Sequence, residues 1–317
     1  MSHLRASVGQ VPTNDRDQSL PSAPADAAVR RPTTALVLSG GGVAGIAWEL
    51  GVLRGIADVD PALAEAVLGA DVVIGTSAGA SVAAQITSGV PLDELYDAQL
   101  RPETAEIEVA VDAEALFAEL MGAAEGATDA QDAARRVGSF AMRAETVAPE
   151  VRMAAIDGRL KTTSWPERDL RITAVDAGTG ALTVLDPSSG VPLRDAVAAS
   201  AAVPGVWPPV AINGRPHVDG GVRSMAHADL ASGAERVLVI HTVPAGVAVP
   251  GAPLDDELAA LAGSAVHVVR ADAAAVAAFG SNPLSPGTRA DSAYAGRALG
   301  AAEVAALART WALDAPR

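Results

Sequence analysis

Residues 75–79 read G-T-S-A-G, so Ser77 stands between two glycines, after the apolar run A-D-V-V-I (70–74) and before A-S-V-A-A-Q-I (80–86). A serine on a sharp strand-to-helix turn can act as a nucleophile, because the turn lifts its hydroxyl clear of the sheet. Side chains on the flanking positions would clash in so tight a turn, and Gly75 and Gly79 remove them. The helix that follows aims its first amides at charge developing beside the hydroxyl. A structural turn with no chemistry would use the same residues. The difference lies in what accompanies the serine.

A second cluster, G-G-G-V-A-G at 40–45, also sits between a strand-like run and a helical one. It fits the spacing of a dinucleotide-binding turn, which requires an acidic residue at the end of the next strand to hold a ribose. That strand ends in Gly75-Thr76-Ser77, while Asp58 and Asp60 fall in a helix-to-strand connection, so the requirement is not met. Consecutive glycines suit a different task. Several backbone amides can converge on one point and stabilise the oxyanion of an acyl-transfer intermediate. Turns after neighbouring parallel strands lie at one sheet edge, so Gly40, Gly41 and Gly42 are expected to face Ser77. A base is also required. Asp219, in H-V-D-G-G (217–221), is a candidate once burial raises its pKa. An ordinary Asp-Gly turn is the competing explanation.

The elements that would position these groups follow from the hydrophobic pattern. Strands are predicted at 33–39, 70–75, 170–176, 181–186, 206–212 and 236–241. Helices are predicted over 46–56 and 80–89, with long helical patterns near 254–279 and 290–313. Residues 91–164 are Ala- and Glu-rich with almost no strand signal, and read as a helical insertion that could cap the site. This order implies an α/β fold with a mostly parallel sheet. The first 31 residues read as a disordered tail and 32–317 as one domain, its motif-bearing core at about 34–230.

Composition narrows the partners. The formal net charge is −15, and Lys161 is the only lysine. Such a surface repels phosphate backbones, which argues against nucleic acid and against permanent docking on anionic membranes. The chain has no cysteine, so disulfides and thiolate sites are excluded. No window supplies the ~18–20 apolar residues of a membrane span, and the tail lacks a signal-peptide core. The expectation is a soluble, cytoplasmic protein with no fixed oligomeric state assigned.

Together G-G-G-V-A-G, G-T-S-A-G and D-G-G, in this order, resemble the patatin-like phospholipases, as does A-S-A-A-V-P-G-V-W-P-P-V (199–210). The stretch S-N-P-L-S-P-G-T-R (281–289) resembles C-terminal regions of bacterial members. The resemblance implies a three-layer α/β/α fold and a serine–aspartate dyad that hydrolyses lipid or other acyl esters without metal or cofactor. Carried over, Ser77 is the nucleophile and Asp219 the general base, and Gly40, Gly41 and Gly42 form the oxyanion hole. Gly45, Gly75, Gly79, Gly220 and Gly221 support the turns. A lipid substrate allows a transient contact with a membrane interface. One departure stands out: family members often carry a basic residue where this chain has Ala44. Two alternatives remain. A Ser–Asp–His triad would draw on Asp176 or Asp219 with His241 or His267, and a lipid-binding or regulatory protein could use the same scaffold. Asp255 and Asp256 read as a solvated helix start rather than as calcium ligands.

Overall fold

In the computed structural model, which describes residues 33–249 and 251–311, the first apolar run forms a strand buried along its whole length, β1 (Thr34–Leu38). The predicted tail, 1–31, lies outside the described residues. Seven further strands follow: β2 (Val72–Thr76), β3 (Asp169–Asp176), β4 (Leu182–Leu185), β5 (Val210–Ile212), β6 (Arg215–Asp219), β7 (Arg236–His241) and β8 (Ala265–Arg270). They join one sheet in the order β5-β6-β3-β2-β1-β7-β8, with β4 also paired to β3. The four central pairings, β3–β2, β2–β1, β1–β7 and β7–β8, are parallel, and those of β4, β5 and β6 are antiparallel.

The eleven helices among the described residues are α1 (Gly42–Val59), α2 (Pro61–Leu68), α3 (Ala78–Ile86), α4 (Leu92–Leu100), α5 (Ala113–Ala124), α6 (Ala130–Ala141), α7 (Pro149–Arg159), α8 (Leu193–Ser200), α9 (Leu254–Ala259), α10 (Ala273–Phe279) and α11 (Arg289–Trp311). A parallel sheet must be covered on both faces, and side chains alternate between them. Leu36, Leu38, Leu238 and Ile240 enter the larger core with α1, α3, α8 and α11. Their neighbours Ala35, Val37, Val237 and Val239 enter a smaller core under Ala226, Ala228, Leu254 and Leu261. Residues 91–164 carry α4 to α7 and no strand.

The register of β3 fixes where the site can form. Its residues 172–173 pair with β4 on one edge and with β2 on the other. Residues 174–175 again pair with β4, and also with β6. A strand has only two edges, so β6 continues the edge that β2 occupies. The two strands run towards each other: Thr76 faces Thr173, and Asp219 faces the next residue, Ala174. Ser77 and Asp219 therefore sit at strand ends that meet.

Three predicted elements differ. The helical pattern over 254–279 divides into α9, β8 and α10. The open edge of β7 accepts A-V-H-V-V-R as a partner strand, and β-branched valines favour that pairing over a helix. His267 consequently lies in a strand. Within 206–212 only Val210–Ile212 pairs, because Pro208 and Pro209 have no N–H to give a ladder. Asp219, read as a turn residue, is the last residue of β6.

Candidate active site

Ser77 lies between β2 and α3 with φ 54° and ψ −108°, a positive-φ backbone that a non-glycine residue adopts at an energetic cost. The surroundings enforce it. A Cβ on Gly79 would land on the carbonyl of Leu38, so only glycine lets α3 approach β1 this closely. One on Gly75 would lie 2.6 Å from the Cα of Ala80. The Gly79 amide donates to the Ser39 carbonyl (2.9 Å), and the Ser77 amide donates to Ser200 Oγ (2.8 Å).

Asp219 is 5 % exposed. Its Oδ1 accepts the Gly221 amide at 2.8 Å, and its own amide donates to the Ala202 carbonyl at 3.0 Å. Oδ2 is buried without a hydrogen-bond partner. Burial pushes the carboxyl up to about 6, and the Ser77 hydroxyl, the Gly221 amide and the charge of Arg152 pull it the other way. The Ser77 hydroxyl and this carboxylate are neighbours without a hydrogen bond between them, and catalytic contacts are often long in resting sites. Gly220 sits against Thr173 and Thr76, where a side chain would not fit.

The glycine cluster divides by role. The Gly40 amide donates to the Met225 carbonyl (2.8 Å), and its carbonyl accepts the Thr242 hydroxyl. The bond to Met225 occupies the first of the three predicted amides. Gly41 and Gly42 donate to no partner among the described residues, and both line the cavity that also holds Ser77 and Asp219. Gly45 donates to the Gly41 carbonyl at 2.9 Å and closes the first turn of α1. Ala44 is fully buried and donates to the Pro283 carbonyl (2.9 Å), which seats the 281–289 segment on the loop. The cavity measures about 350 Å³. Apart from the site residues its walls are almost wholly apolar, with Leu116, Phe117 and Leu120 from α5 opposite Val203, Pro283 and Leu284. That size and lining suit a small apolar ligand group held beside a few polar atoms.

The remaining candidates lie elsewhere. None of the four described histidines lines the cavity. His241 bonds the Val243 carbonyl at 3.0 Å, His267 pairs with Glu303 at 2.9 Å, and His217 meets Thr183 at 3.1 Å. His227 meets Thr76 Oγ1 at 3.0 Å, and burial holds its imidazole down to about 3, so it stays neutral. Asp176 caps its own turn through Gly178 and Thr179 and pairs with Arg215. Asp58 pairs with Arg54 and Arg297, Asp60 caps α2, and Asp255 pairs with Arg270. No three His, Asp or Glu side chains among the described residues form a metal-binding group. Sequence reasoning missed Ser200, Thr242 and Arg152. Ser200 lay inside the A-S-A-A-V-P-G segment already singled out, whereas nothing local marks a threonine after β7 or an arginine on α7.

The patatin-like phospholipase family model matches residues 36–232. No curated protein matches the chain. Among solved structures, the type III effector protein ExoU aligns with a TM-score of 0.41 at 16% identity, covering 87% of this chain and 53% of its own. VipD from Legionella pneumophila aligns with a TM-score of 0.43 at 12% identity, covering 87% of this chain and 67% of its own. The chain thus spans about half the length of ExoU.

Proposed function

The chain belongs to the patatin-like phospholipase family, and from that premise we propose that it is a serine acyl-ester hydrolase acting on lipid esters through Ser77 and Asp219. Ser77 Oγ attacks the ester carbonyl while its proton passes to Asp219. The Gly41 and Gly42 amides receive the oxyanion, helped by the N-terminal end of α3. Collapse of the tetrahedral intermediate expels the alcohol, which takes the proton back from Asp219. A water molecule, deprotonated by the same carboxylate, then releases the acid and frees Ser77. The acyl chain occupies the apolar cavity, against Leu116, Phe117, Leu120 and Leu284.

The observation that carries this reading is the shared cavity: a strained serine and a buried aspartate of raised pKa open on it beside two undonated amides. A carboxylate with a pKa near neutrality accepts a proton far better than an ordinary surface aspartate. The histidine triad has no comparable support, because every described histidine is engaged outside the cavity. The test is a panel of acyl esters run on wild type, Ser77→Ala and Asp219→Asn. Both variants are expected to lose kcat/KM by ~10³-fold or more with folding intact. Full activity in either would overturn the dyad, and a folded wild type that neither cleaves esters nor reacts with a fluorophosphonate would favour a binding protein.

A further inference from the structure

The last residue of α8 and the two after it hold both halves of the site in successive steps. Ser200 Oγ accepts the Ser77 amide at 2.8 Å. Ala202 offers its carbonyl to the Asp219 amide at 3.0 Å. Between them, the Ala201 carbonyl accepts Nη2 of Arg152 at 3.3 Å. Arg152 comes from α7, a distant part of the chain, and is only 3 % exposed. Its guanidinium carbon stacks over the Trp207 ring at 4.1 Å, five residues beyond the clamp. Nε and Nη1 are buried without hydrogen-bond partners. An arginine placed at such desolvation cost needs a reason beyond one long hydrogen bond to a carbonyl.

We propose that Arg152 is a positioning residue for the dyad: stacked on Trp207 and bonded to Ala201, it locks residues 200–202 and thereby sets the separation of Ser77 and Asp219. Its charge adds a second effect. The groups that face it are Arg159, Glu106 and Asp219; Glu106 is held by Arg159 in a two-pronged pair at 2.6 and 2.7 Å. Glu106 is thus shared with a second guanidinium, which leaves Asp219 as the other carboxylate that Arg152 can balance. Among the described residues, Ser77, the Gly221 amide and Arg152 favour the carboxylate form of Asp219, and of these Arg152 alone carries a full charge. Lysine could supply the charge but neither the planar stack nor the fork.

This inference rests on the dyad reading, and the experiment separates the two. The rate of covalent labelling of Ser77 by a fluorophosphonate is measured against pH for wild type, Arg152→Gln and Arg152→Lys, with near-UV circular dichroism as the check on folding. An unreactive wild type would count against the dyad itself. With a reactive wild type, Arg152→Gln should move the acid limb up by about one pH unit, the lower end of the effect of a nearby opposite charge. Its rate at pH 6, relative to its own plateau, then falls about fivefold against wild type. Arg152→Lys should keep the midpoint but lose about tenfold or more in plateau rate, since it loses the stack. A limb for Arg152→Gln that coincides with wild type would overturn the electrostatic role. An undiminished plateau for Arg152→Lys would overturn the positioning role, whether or not the glutamine variant folds.

Discussion

An aspartate titrating near 3.8 would be a poor base at neutral pH, and the burial of Asp219 changes this. On the proposed mechanism only the carboxylate accepts the serine proton, so kcat/KM should climb with pH and reach half its plateau near pH 6, the raised value of Asp219. A profile on soluble esters checks this, and a flat profile from pH 5 to 8 would contradict it. The same shift predicts a stability cost. The native state holds the Asp219 proton more tightly than the unfolded chain, so folding loses stability as pH rises from about 4 to about 6 and levels off above. Asp219→Asn removes that slope while its amide oxygen can still accept the Gly221 amide. The inactive variant should therefore be more stable than wild type at pH 8 by up to about 3 kcal/mol, with the advantage gone near pH 4. Denaturant titrations at both pH values read the difference directly.

Among elements, the pairing of α1 with α11 leaves no room for side chains at its crossing. A Cβ on Gly51 or Gly55 of α1 would meet the carbonyls of Ala293 and Arg297, and one on Gly296 or Gly300 of α11 would meet those of Trp48 and Val52. The two backbones are in contact through reciprocal glycines four residues apart. Gly55→Ala and Gly300→Ala should each cost about 1–3 kcal/mol of stability, from forced separation of the helices. Thermal melts check this, and ester hydrolysis by the remaining folded protein should be little changed. Glycine within helical patterns was visible at 51, 55, 296 and 300, but nothing local joined residues so far apart in the chain. The same limit explains the rest of what the sequence hid. Strand-forming runs such as T-A-L-V-L and the serine turn are local patterns and were legible. The joining of β2 and β6 along one edge of β3 is a matter of long-range register, and so is the recruitment of V-H-V-V by the edge of β7. Likewise the glycine cluster was legible as a strand-to-helix turn, while the engagement of Gly40 with Met225 depends on a segment nearly two hundred residues away.

At the scale of the whole molecule, net charge and the apolar surface of α5 both bear on how a lipid surface is met. Helix α5 has no fully buried residue, although most of its twelve side chains are apolar. Leu116, Phe117 and Leu120 line the cavity, Phe117 remains 37 % exposed and Met121 48 %. The charged residues of α5 are Glu114 and Glu119, and it carries no base. Glu119 shares a surface groove with Arg135, Arg136 and Arg143, so the repulsion expected of an anionic surface comes from the chain as a whole, with its formal charge of −15. Zwitterionic lipid offers apolar contact without repulsion, whereas an anionic surface adds a penalty that grows as the two approach. Hydrolysis of one lipid ester should thus be faster in zwitterionic than in anionic vesicles. Screening supplies the internal control. Raising salt from 0.1 to 1 M shortens the Debye length from ~10 to ~3 Å, which should narrow the gap by speeding the anionic reaction while leaving the zwitterionic one nearly constant. Phe117→Ser with Met121→Ser should slow both vesicle reactions several-fold while sparing a short, soluble ester, since apolar surface is lost and charge is unchanged. Faster turnover on anionic vesicles at low salt would mean that the net charge does not govern approach, and that local basic groups such as Arg135, Arg136 and Arg143 beside α5 do.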